Sequence, residues 1–252
     1  MGSRDGVIGI IGGMSWESSA LYYRRLNEGF HRRLSGHHNA RSVLVSVDYD
    51  EMLALAGAGD WPGVGGVLAD AAQRLERAGA AFALLAANTA HVVAGHVAGA
   101  IGIPLLHIAD PTADAIRRAG LSRVGLIGTR FTMEMDFLTG ALRRQGIEVD
   151  VPATAERHVL HRIIVRELTL GVVRPGSRRA VEAIMARLVS DGAQGVVIGC
   201  TEIPLLLGDR AYAFPTFDTT ALHVHAAIEA SLSGSAAFGK PAELADARSA
   251  GR

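Results

Sequence analysis

The feature that most restricts the fold is an internal repeat. Val7-Ile8-Gly9-Ile10-Ile11-Gly12 resembles Arg123-Val124-Gly125-Leu126-Ile127-Gly128. Further on, Leu84-Leu85-Ala86-Ala87-Asn88-Thr89 resembles Val197-Ile198-Gly199-Cys200-Thr201 in pattern, and both pairs lie about 115 residues apart. Each copy then runs through a short apolar segment from Pro to Asp, Pro104 to Asp110 and Pro215 to Asp218. A chain written twice in this way predicts two similar halves related by a pseudo-two-fold axis.

Each half alternates short β-branched runs with longer amphipathic ones. Strands are expected at Val7–Ile11, Ser42–Val47, Phe82–Ala86, Val124–Ile127, Glu148–Val151 and Gly195–Ile198. Helices are expected at Ser15–Leu34 with Ser15 as N-cap, at Trp61–Ala78, from Met133 to Gln145, at His158–Leu170 and at Ser177–Ser190. This rhythm predicts an α/β fold of two similar domains, each a parallel sheet flanked by helices. The expected division is residues 1–112 plus about 219–232 for the first domain and 113–218 for the second. Residues 233–252, rich in small residues, read as a flexible tail. Ligands of open parallel sheets sit at the carboxyl ends of the strands, so two facing halves place a cleft between Ala87 and Cys200.

Composition removes several function classes. Lys+Arg and Asp+Glu are each 25, a net charge of 0, and aromatics make up 5%. Neither a charge field nor a stacking surface points to nucleic acid or a membrane. Cys200 is the only cysteine, which excludes an internal disulfide and multi-cysteine zinc sites and suits a reducing compartment. Lys240 is the only lysine, and Pro241 follows it. A pyridoxal Schiff base lacks its core lysine, and a Gly-Lys-Ser/Thr phosphate loop lacks its third residue. No targeting segment or membrane span is legible, so the protein reads as soluble and cytoplasmic. His158 and His161 have clamp spacing but no carboxylate or thiol at metal spacing beside them, so no metal is expected.

Four motifs carry a resemblance. Gly9-Ile10-Ile11-Gly12-Gly13-Met14-Ser15-Trp16-Glu17-Ser18-Ser19, Asn88-Thr89-Ala90-His91, Gly128-Thr129-Arg130-Phe131-Thr132-Met133 and Gly199-Cys200-Thr201-Glu202-Ile203-Pro204 resemble the aspartate/glutamate racemase family, from about Val7 to His225. The resemblance is nearest to its amino-acid racemase subgroup. It implies a cofactor-independent isomerase, a homodimer, an amino-acid substrate and an active site in the interdomain cleft. In that family one cysteine on each domain flanks the substrate Cα, one taking the proton as thiolate and the other returning a proton on the opposite face. Here Cys200 matches one position and Ala87 the other. An alanine neither takes nor gives a proton.

Three expectations arise from that mismatch. His91, Thr89 or a held water serves the second face of a racemase. Alternatively, Cys200 protonates a carbanion after decarboxylation, as a single-cysteine lyase on this fold does. Or the protein is an inactive form that binds an amino acid. Asn88, Thr89, Thr129, Thr132 and Thr201 are the expected carboxylate donors, with Met14 lining the first turn and Arg130 a candidate for an anionic group. Such donors hold charge as it develops on an enolate-like carboxylate.

Overall fold

The computed structural model describes residues 6–208 and 210–233, so the expected tail lies almost wholly outside the described residues. Two four-stranded parallel sheets form the frame. The first holds β1 (Ile8–Gly12), β2 (Ser42–Ser46), β3 (Phe82–Leu85) and β4 (Leu105–Leu106), in the order β2-β1-β3-β4. The second holds β5 (Arg123–Gly128), β6 (Glu148–Asp150), β7 (Val196–Gly199) and β8 (Thr216–Asp218), in the order β6-β5-β7-β8. The orders are the same once the second half is renumbered, so the sequence repeat is a structural repeat.

Every residue of the central strand β1 is buried, and so are all but the first of β5. Their continuous Ile, Leu and Val runs suit strands covered on both faces. Burying one such side chain stabilises the fold by roughly 1.5–3 kcal/mol. The repeat's glycines bring helices onto these strands. A Cβ at Gly9 would lie 3.1 Å from Leu75 Cδ1 on α3 (Trp61–Arg77). A Cβ at Gly125 would lie 2.9 Å from Leu188 Cδ1 on α9 (Pro175–Ser190). The same contact is made at the same place in each half.

The first sheet is covered by α1 (Trp16–Leu34), α3 and, from the far end of the chain, α11 (Thr219–Ser233). Tyr22, Leu26 and Phe30 recur at i, i+4 and i+8 along α1 and share a core with Ile8, Ile10, Val224, Ala227 and Ile228. The second sheet is covered on one face by α8 (Thr154–Arg166) and α9, with Leu160, Ile164, Val181 and Met185 in one core. On its other face, α5 (Ala109–Arg118) and α7 (Asp136–Arg144) join Val124, Leu126 and Val197 through Ile108, Ala113, Ile116, Leu138 and Leu142. α5 packs on this second core from Ile108 onward. No helix among the described residues is long and apolar enough to cross a membrane.

Some elements differ from the sequence expectation. The helix expected from Met133 to Gln145 is two helices, α6 (Arg130–Glu134) and α7, separated by Met135 in an extended conformation (ψ 151°). The helix expected to begin at His158 starts at Thr154, where the Glu156 carboxylate accepts the Ala153 N–H at 3.2 Å, and it ends at Arg166 before a separate 3₁₀ turn, Leu168–Leu170. Three further short helices, α2 (Tyr49–Gly57), α4 (Ala94–Gly99) and α10 (Ile203–Leu207), and a 3₁₀ turn at Thr89–Val93 complete the described elements.

Candidate active site

The loops after β1, β3, β5 and β7 leave the carboxyl ends of the two sheets. The first is built for close approach. Gly13 has φ 91°, and a Cβ there would lie 2.1 Å from the carbonyl oxygen of Val47. Ser15 comes next but one with φ 111°, a conformation that strains any residue with a side chain. It caps α1 by accepting the Ser18 N–H at 3.3 Å. Strain of this kind costs about 1–3 kcal/mol and gathers at functional sites.

The loop after β7 carries the reactive groups. Cys200 is 5% exposed, and its thiol donates to Glu202 Oε2 at 3.0 Å. The Thr201 hydroxyl donates to the same oxygen at 2.6 Å. Ser18, on α1 of the first half, donates to Thr201 Oγ1 at 2.6 Å. A chain of polar groups therefore runs from one half of the molecule to the thiol of the other. Burial pushes the Cys200 thiol well above its ordinary range, and the Glu202 charge and hydrogen bond push it further; the N–H groups of Glu202 and Ile203 pull the other way and lose. At neutral pH Cys200 is a thiol whose proton already points at a carboxylate.

The loop after β3 is tied to this place by one hydroxyl. Asn88 Nδ2 donates to Thr219 Oγ1 at 3.1 Å, and Thr219 donates to the carbonyl of Ile198 at 3.0 Å, two residues before the cysteine. Ala87 and Thr89 flank Asn88 and are partly exposed, as are Met14 and Thr129 at the other turns. Asn88 itself is buried, and its side chain is occupied by Thr219.

His91 takes a different place from the one its motif suggests. Its Nε2 accepts the Ile108 N–H at 3.2 Å, so its proton sits on Nδ1, which faces the carbonyls of Ala87 at 3.0 Å and Asn88 at 3.2 Å. Both nitrogens are committed to backbone, and burial holds the ring well below the ordinary imidazole range. The expectation that His91 serves as the second acid/base therefore gives way to a structural role: it braces the β3 loop. Arg130 is half exposed, with its guanidinium 3.9 Å from the Glu134 carboxylate and over the Phe131 ring. Thr129 caps α6, accepting the Thr132 N–H at 3.3 Å, and its hydroxyl lies 3.0 Å from that of Thr132, which is fully buried.

Two residues escaped the sequence reading. Glu202 stood inside the Gly-Cys-Thr-Glu motif, but its hold on both neighbouring protons shows only in three dimensions. Tyr49 opens α2 at the end of β2 and is 40% exposed. Burial raises its phenol, and the charges of Glu202 and then Cys200 raise it further, which puts it within electrostatic reach of the pair. Its signal was position alone, at the carboxyl end of a strand beside β1.

The Asp/Glu/Hydantoin racemase family model matches residues 11–227. The chain belongs to this family. A crystal structure of a provisionally assigned Asp/Glu racemase from Yersinia pestis is 43% identical, with 90% of this chain and 99% of that one aligned at a TM-score of 0.85. An aspartate racemase homologue from Pyrococcus horikoshii is 33% identical over the same shares, with a TM-score of 0.80. The broad-specificity amino-acid racemase RacX of Bacillus subtilis is 26% identical over 69% of this chain and 70% of its own length. The two-sheet architecture seen here is the racemase architecture, and membership in the family supports amino-acid racemase activity.

Proposed function

We propose that this racemase-family protein inverts an α-amino acid without pyridoxal phosphate, with Cys200 as one acid/base. The observation that carries the reading is the buried Cys200–Glu202 pair at the end of β7. An amino-acid Cα–H is a very weak acid, so its base must be dry and aimed. A thiolate meets that need once its proton has somewhere to go, and Glu202 is an acceptor already in contact. In one direction Cys200 passes its proton to Glu202 and takes the Cα proton. In the other, the thiol donates to the carbanion on its own face. Lys240 is the chain's only lysine and stands near its C-terminus, which supports a mechanism without a Schiff base.

The carboxylate of the substrate is held by hydroxyl and amide donors, Thr201, Asn88, Thr89, Thr129 and Thr132, which turn to it from their present partners, with Met14 beside them. On the opposite face Ala87 offers nothing, so Thr89 or a water admitted there carries the second proton. The protein works in the cytoplasm as a homodimer.

The decisive experiment is proton NMR of amino acids in heavy water. The wild type exchanges the Cα proton of its substrate, and Cys200→Ala does not. Exchange that persists in Cys200→Ala defeats the role of the sulfur. Ala87 favours a second reading, in which the protonated thiol quenches a carbanion left by loss of carbon dioxide. Release of carbon dioxide from a disubstituted malonate, without Cα exchange of any amino acid, selects that lyase. Tight binding of an amino acid with neither reaction selects a binding protein.

A further inference from the structure

We propose that Ser18 is a positioning residue that, from the first half of the molecule, holds the Thr201–Glu202–Cys200 chain of the second half in register and keeps water from it. A threonine hydroxyl has one proton. That of Thr201 goes to Glu202 at 2.6 Å, so the short contact with Ser18, also 2.6 Å, has Ser18 as donor. The order of protons is thereby fixed from Ser18 to Thr201 to Glu202, with the Cys200 proton arriving on the same oxygen from the other side. All four residues are under a tenth exposed. A donor into a chain of this kind strengthens the next bond by polarising it, and the low dielectric enlarges the effect.

Ser18 is suited to the task because of where it stands. It lies in the first turn of α1, directly after the strained Ser15 cap, which fixes where that turn begins. Other bonds also join the halves, among them Arg25–Asp218 at 3.0 Å and Thr219 to the Ile198 carbonyl at 3.0 Å. Neither of these two ends on the carboxylate that receives the thiol proton. Substrate that takes the Thr201 proton for its own carboxylate leaves Ser18 donating to Thr201 but Glu202 with one donor fewer, which makes it a stronger base toward Cys200 as the reaction begins. This consequence for turnover rests on reading Cys200 as the acid/base; the arrangement of the chain does not.

The single cysteine makes the test clean. Alkylation of the intact protein by iodoacetamide, followed as rate against pH, reports Cys200 with no other thiol in the background. Ser18→Ala lets water reach the chain, so the midpoint falls by about one unit and the rate below the midpoint rises about tenfold. Thr201→Val cuts the same chain at its next link, and the double variant shifts no further than the larger single one. Arg25→Gln loosens the halves elsewhere and leaves the midpoint in place. A wild-type midpoint in Ser18→Ala overturns the proposal. So do additive shifts in the double variant, or an equal shift in Arg25→Gln. If Ser18→Ala does not fold, Thr201→Val with the Arg25→Gln control decides alone. A protein that shows the expected shifts but exchanges no Cα proton refutes the racemase reading and keeps Ser18 in its place; an active racemase without the shifts does the reverse.

Discussion

The two halves share a sheet order and differ in the loops that leave their third strands. After β7 the chain gives Gly199, Cys200, Thr201 and Glu202, a thiol and a carboxylate in contact. After β3 it gives Ala86, Ala87, Asn88 and Thr89, with no group that titrates near neutrality. The first half instead packs three histidines together. His91, His107 and His223 lie edge to face, with ring centroids 4.7 Å apart for His91 and His107 and 5.8 Å for His91 and His223. Each is bonded to backbone, and His223 also meets the Tyr22 hydroxyl. The comparison teaches that the duplicated frame does not duplicate chemistry. One copy brings a thiol and a carboxylate into contact after its third strand, and the other has three histidines bonded to backbone.

That asymmetry can be broken most severely at the sulfur. Cys200→Ala removes the proposed acid/base of this half, and Cα exchange is expected to fall by more than about a thousandfold, to the level of the blank. The next largest effect comes from its partner. Glu202→Gln replaces the proton acceptor with a neutral amide of the same shape, and exchange falls about a hundredfold. The same change removes the negative charge that raises the thiol, so the midpoint for alkylation moves down, toward the ordinary cysteine range. A lower midpoint with full activity would show that Glu202 only tunes the thiol and takes no proton. A smaller change restores the symmetry instead of deepening its loss. Ala87→Cys gives the first half a thiol at the matching place, and exchange rises about tenfold. No gain there means that Thr89 or water already serves that face as fast as the Cys200 side allows.

Much of this was legible in the sequence because it depends on local pattern. The repeat of Val7–Gly12 in Arg123–Gly128 gave the paired sheets, since a buried central strand needs an unbroken apolar run and a glycine where the helix crosses. The Gly-Cys-Thr-Glu motif located the thiol. What stayed hidden depends on contacts between distant residues. Ser18 and Thr201 are separated by 183 positions, and nothing in either neighbourhood announces a shared hydrogen bond. A histidine three residues past Asn88 looks the same in sequence whether its ring faces the other half or the backbone; only the N–H of Ile108, from a loop the pattern leaves unassigned, shows where its Nε2 is held. The break at Met135 has no proline or glycine to signal it.

The smallest effect tests the buried side of the comparison. Burial lowers His223 and His107 from 6.5 to about 4 each, with the other ionisable groups nearby adding to the drop. The unfolded chain takes these protons near pH 6.5 and the folded one only near pH 4. Stability is therefore complete above about pH 6.5 and is lost as the pH falls through the range down to about 4, by up to about 3 kcal/mol for each ring. Tyr22→Phe makes that loss specific. The Nε2 of His223 faces the carbonyl of Leu106 at 3.0 Å and must carry the proton, so Nδ1 accepts from the Tyr22 hydroxyl at 3.0 Å. Without the hydroxyl the folded protein is about 1 kcal/mol less stable at pH 7, measured by urea unfolding. Below about pH 4 the ring is doubly protonated and Nδ1 donates instead of accepting, so the bond with Tyr22 must turn round and the difference between the variant and the wild type changes. A difference that stays constant from pH 7 to pH 4 would mean that the hydroxyl acts through packing alone. The first half would then hold its loop by shape, without regard to which nitrogen carries the proton.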